Sequence, residues 1–105
     1  MTRRPIDALK RYGFRKAGEF VLVNGIIRLD GDLPLVPGVY AHVVDGWAVN
    51  YVGSSDNVRN RVRGYGFDLN ITYSRDHRPV REGIRDALQA GSRVEVWIKD
   101  RKSVV

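Results

Sequence analysis

The chain has 105 residues, with 18 basic side chains against 12 acidic ones and a formal net charge of +6. That length supports one domain around one modest core and excludes a second domain of ordinary size. Cysteine is absent, which excludes disulfides and thiolate metal sites, and no apolar run reaches the length that spans a bilayer.

The N-terminus, MTRRPIDALKRYGF, has neither an apolar h-region nor a small-residue cleavage site, so no secretory signal is expected. These features together predict a cytoplasmic protein with no membrane association. His42 and His77 are too few and too far apart for a histidine-rich metal site. Fourteen of the 18 basic residues are arginine, the side chain best suited to forked contacts with phosphate. A polyanion is the first partner to consider, although a basic surface also serves solubility.

Residues 5 to 12 read as a short helix. Pro5 suits its first position, Ile6, Leu9 and Tyr12 fall on one side, and Gly13 ends it. Residues 19 to 30, EFVLVNGIIRLD, place Asn24-Gly25 between two apolar runs, the strongest short hairpin signal. A two-residue turn there pairs Leu22 with Ile27 and Phe20 with Leu29, giving one apolar face that packs on the domain. GDLPLVPG, residues 31 to 38, reads as a connector.

A second hairpin follows over 38 to 53, GVYAHVVDGWAVNYVG, turning at Asp45-Gly46. With two residues in the turn, partner numbers sum to 91, which sets Tyr40 opposite Tyr51 and Val39 opposite Val52. Alternation then puts His42, Val44, Trp47 and Val49 on the face of the two tyrosines. The strand is expected to end at Gly53, with Ser54, Ser55 or Asp56 capping a helix. In that helix Val58 and Val62 form an apolar stripe beside a polar stripe of Asn57, Arg61 and Tyr65, and Gly64 and Gly66 close it. Residues 67 to 77 lack periodicity and read as an irregular loop. Pro79 opens another helix, with Val80, Ile84, Ala87 and Leu88 on one face and Gly91 as its stop. The last strand is SRVEVWIKD, with Val94, Val96 and Ile98 facing one way.

These residues resemble the GIY-YIG nuclease family over about 35 to 100. The two tripeptides of its name correspond to Gly38-Val39-Tyr40 and Tyr51-Val52-Gly53, at the family's usual separation. Ser54 follows the second tripeptide, Arg61 stands ten residues past the second tyrosine, and Tyr65 four beyond that. Taken singly, Tyr40 and Tyr51 read as half-buried strand residues, Arg61 as a surface helix arginine, and His42 as structural. The set in register is what carries the resemblance.

The resemblance implies hydrolysis of phosphodiester bonds in DNA with one divalent cation, usually Mg²⁺. By that resemblance Tyr40 or Tyr51 positions or deprotonates the attacking water, Arg61 holds the phosphate and offsets transition-state charge, and Tyr65 supports that face. Ser54 or Ser55, with N–H groups at the helix start, donates to a phosphate oxygen, and Asn57, Arg59 and Arg63 extend the nucleic-acid-binding surface. Gly38 and Gly53 serve the motif's backbone. The family's metal-binding glutamate, on a helix after the third strand, has no counterpart before Val105. Glu82 precedes that strand and Glu95 lies within it, so the metal ligand is left unassigned. Three accounts stay open: the sequence is a fragment of a longer enzyme, another chain supplies the ligand, or the domain binds without catalysis; the ending RKSVV favours the first.

The expected fold is α+β, a small three-stranded antiparallel sheet flanked by helices. Residues 1–34 form a helix and hairpin extension packed on the core, and 35–105 form the nuclease-like domain. Two other functions stay open: a catalytically inactive nuclease-like module that binds nucleic acid, and a protein-interaction domain whose tyrosine face is only core.

Overall fold

The computed structural model describes residues 5–63, 67–68 and 78–100. The first helix, α1 (Pro5–Arg11), buries Ile6 and Leu9. It ends in a Schellman turn: Gly13, at φ 88°, donates its N–H to Lys10 O, and Phe14 donates to Leu9 O. Tyr12, expected beside Ile6 and Leu9, is instead 65% exposed. The helix stops one residue before it, and the left-handed glycine folds Phe14 back onto the cluster in its place.

The first hairpin has the register its turn dictates. Strands β1 (Arg15–Val23) and β2 (Ile26–Gly31) pair Leu22 with Ile27 and Phe20 with Leu29, around Asn24 and Gly25 at positive φ. The second hairpin, β3 (Gly38–Val44) and β4 (Ala48–Ser55), departs from the expected register twice. Trp47 stays in the turn, so Val44 pairs with Ala48, and Asn50 is bulged out between His42 and Val43. Each single-residue slip moves side chains to the other face, and two slips restore the original one. Tyr51 therefore keeps the tyrosine face but stands opposite His42, while Tyr40 stands opposite Gly53. Val49, between the two slips, pairs with Val43 and packs on the other face. The turn is tied down from outside: Asp45 donates its N–H to Arg93 O at 2.8 Å, and Asp45 Oδ1 accepts from the Arg93 N–H at 2.8 Å.

Strand β4 runs on to Ser55, and Asn57 rather than a serine or Asp56 caps α2 (Val58–Arg63), its Oδ1 accepting the Asn60 N–H at 3.1 Å. Phe67–Asp68 forms a two-residue strand, β5, inside a stretch expected to be irregular; residues 64–66 and 69–77, including Gly64, Tyr65 and Gly66, lie outside the described residues. Helix α3 (Arg78–Gln89) turns the expected Val80, Ile84, Ala87 and Leu88 towards the core. Strand β6 (Val94–Asp100) buries Val94, Val96 and Ile98.

The strands form one antiparallel sheet in the order β4-β3-β6-β1-β2-β5. The expected three-stranded core, β4-β3-β6, is half of it. The N-terminal hairpin extends the sheet by pairing β1 with the far side of β6, with a bulge between Lys16 and Gly18. The fold is α+β, with helices on both faces. On one face Ile6, Leu9 and Phe14 pack against Ala41, Val43, Val49 and Trp97. On the other, α2 and α3 close over Phe20, Ile27, Tyr40, Val94, Val96 and Ile98. No helix among the described residues is long and apolar enough to cross a membrane.

Candidate functional site

The sheet face under α2 and α3 carries a row of rings. The Tyr40 and Tyr51 centroids are 6.0 Å apart, and His42 stands 5.8 Å from Tyr40 and 5.5 Å from Tyr51. Phe20 meets His42 edge-on at 5.4 Å. Tyr40 is 1% exposed and Tyr51 is half-buried, so the second phenol is the one nearer solvent. His42 is 2% exposed, and burial lowers its pKa to about 4, because an imidazolium would lose its hydration among the rings. The imidazole is therefore neutral at physiological pH.

The two motif glycines have steric reasons to be glycine. A Cβ on Gly53 would stand 2.6 Å from the Tyr40 hydroxyl oxygen and 2.9 Å from Tyr51 Cε2. A Cβ on Gly38 would stand 2.7 Å from Lys99 O and 3.0 Å from Val58 Cγ2. The first glycine lets Tyr40 lie across β4, and the second lets β3 approach β6 beneath α2.

Helix α2 docks over this face through buried Val58 and Val62. Arg61 and Arg63 are both exposed. Arg59 turns to the connector, its Nε donating to Leu33 O and its Nη2 standing 3.4 Å from Asp32 Oδ1. Val58 donates its N–H to Val36 O at 2.9 Å, so α2 and the connector hold each other. Ser54 is exposed. Ser55 Oγ accepts the Asn57 N–H and donates to Asn57 O, each at 3.1 Å. Of the residues singled out for nucleic acid, Ser54, Arg61 and Arg63 face outward, while Ser55, Asn57 and Arg59 also shape the entry into α2. Tyr65 lies outside the described residues.

Two of the cavities lined by described residues lie against α2 and α3. One of about 290 Å³, lined in part by Asp32, Arg59 and Arg63, is polar and lies beside the connector. The other, of about 270 Å³, lies between the sheet and α3. His42, Asn50 and Tyr51 line its sheet side and Val80, Gly83 and Ile84 its helix side. Reading the sequence alone missed this second cavity. The signals for it were a glycine inside a helix and a histidine on the tyrosine face.

A hard divalent cation needs several oxygen ligands, normally with at least one carboxylate. Among the described residues no group of three His, Cys, Asp or Glu side chains converges on a common point, so these residues do not by themselves fit such an ion.

No family model matches the sequence, and no curated protein matches it. A solved structure does: that of the bacteriophage T4 EndoII E118A mutant, with a TM-score of 0.77 and 24% identity over 93% of this chain and 74% of that one. The chain has the fold of EndoII.

Proposed function

We propose that this protein is an endonuclease of GIY-YIG type that hydrolyses phosphodiester bonds in DNA. The observation that carries the reading is that the Tyr40 and Tyr51 rings lie side by side, 6.0 Å apart, on the sheet face covered by the helix that bears Arg61. The fold shared with EndoII supports a nuclease, and the charge of +6 suits a polyanionic substrate.

In this reading Tyr51, the more accessible phenol, orients the attacking water, and Tyr40 holds Tyr51 in place from beneath. Arg61 binds the scissile phosphate and offsets the charge that builds on it in the transition state. Ser54 and Arg63 hold the flanking backbone. A phenolic hydroxyl both donates and accepts a hydrogen bond, so the tyrosine's task in this reading is to position the water. The reading includes a divalent cation, Mg²⁺ first, which would supply electrostatic stabilisation of the phosphate; its ligand set is not found among the described residues.

The test is conversion of supercoiled plasmid to the nicked circle in the presence of Mg²⁺ and its suppression by a chelator. Salt-dependent DNA binding with no nicking across Mg²⁺ and Mn²⁺ would overturn the nuclease and leave a nucleic-acid-binding module.

A further inference from the structure

Gly83 sits in the interior of α3, where alanine would stabilise the helix. Among the described residues two usual reasons for such a glycine are absent. It is not among the residues of positive φ, and among the described residues an added Cβ would meet nothing within 4 Å. It stands, exposed, at the rim of the 270 Å³ cavity. As glycine it adds no side chain to that lining.

The walls of the cavity suggest its occupant. Val80 and Ile84 present apolar surface from the helix, while Asn50 and Tyr51 bring polar groups from the sheet. Its volume lies just below the range of about 300–1,000 Å³ that holds drug-sized ligands, which suits one small ring system rather than a length of chain. Tyr51 belongs both to the cavity and to the two neighbouring phenols, so an occupant lies beside the group placed at the phosphate. In a nucleic acid, the flat ring with a hydrogen-bonding edge next to a phosphate is a base. Asn50, bulged out of β4, offers both a donor and an acceptor to such an edge.

We propose that this cavity receives a single unstacked nucleobase next to the scissile phosphate, entering past Gly83. The inference rests on the nuclease reading above and adds that the substrate is engaged with one base out of the stack. A duplex carrying a single-nucleotide bulge has already unpaired that base.

The experiment measures binding to two duplexes of otherwise identical sequence, one fully paired and one with a single-nucleotide bulge, by fluorescence anisotropy at one fixed salt concentration. The wild-type protein is expected to bind the bulged duplex about ten-fold tighter, and Gly83→Leu to lose that preference while melting no lower than the wild type. Should Gly83→Leu melt lower, Asn50→Leu serves with the same readout. A wild-type protein that binds both duplexes equally, or a variant that folds and keeps the preference, overturns the base pocket and leaves the nuclease reading standing. A wild-type protein that binds neither duplex at low salt overturns both.

Discussion

The Tyr40 side chain lies across Gly53 on the neighbouring strand, so close that a Cβ at position 53 would fall 2.6 Å from the hydroxyl oxygen and 2.7 Å from Cζ. Tyr40 is fully buried, so it cannot swing into solvent to make room. Gly53→Ala is expected to destabilise the fold by about 1–3 kcal/mol, as overpacking does, and to displace the paired rings. A thermal melt checks the first effect. A Gly53→Ala protein that melts with the wild type would mean that Tyr40 is not held as described.

Tyr51→Phe keeps the ring and its contacts with Tyr40 and His42 but removes the hydroxyl. If that hydroxyl positions the attacking water, nicking falls by roughly 100-fold or more with little change in melting temperature. The same change at buried Tyr40 is expected to cost less activity than at Tyr51. Nicking rates for the two variants, compared at equal folded fraction, settle the order.

His42 makes stability depend on pH with a definite sign. Its pKa falls from 6.5 to about 4 on folding, so the native state prefers the neutral form. Above pH 6.5 both states are neutral at this residue and the contribution is complete. As pH falls from 6.5 towards 4 the unfolded chain takes up a proton that the buried imidazole refuses. That lowers stability by up to roughly 3 kcal/mol over the window. His42→Phe, placed among Phe20, Tyr40 and Tyr51, should flatten this part of the profile. Denaturant melts of both proteins between pH 4 and pH 7 provide the check.

Arg59 joins α2 to the connector through Leu33 O and Asp32. Its side chain is about one-third exposed (32%) and Asp32 is almost wholly exposed (98%), so the carbonyl contact outweighs the ion pair. Arg59→Ala is expected to cost about 1–2 kcal/mol, in line with loss of a hydrogen bond from a charged group, whereas Asp32→Ala should cost a few tenths of that. Paired urea melts distinguish the two.

Much of this architecture was legible because it is local. Asn24-Gly25 sets a turn whose two residues leave no choice of register, and the Val58–Val62 and Val80–Leu88 spacings mark buried helix faces directly. Asp45-Gly46 was less informative. It marks a turn but not whether Trp47 stays inside it, and nothing local announces the bulge at Asn50, which depends on how β4 meets β3. Those two slips cancel at Tyr51, so the tyrosines were correctly assigned to one face although their pairing was not. The union of the first hairpin with β6 joins residues some eighty apart in the chain, and no short-range pattern encodes it. The cavity beside Tyr51 was hidden for the same reason, since it forms only where α3 crosses the sheet. The ring of Tyr40 lying over Gly53 shows why glycine is needed at position 53, which spacing alone could not.

The central claim is that Arg61 and the two neighbouring phenols act together on a phosphodiester. The most direct measurement is nicking of supercoiled plasmid with Mg²⁺ by the wild-type protein and by Arg61→Ala, with melting curves and DNA binding recorded for both. The account predicts nicking by the wild type and a loss of at least about 100-fold in Arg61→Ala, with the variant still folded. A folded Arg61→Ala protein that nicks at the wild-type rate would contradict it.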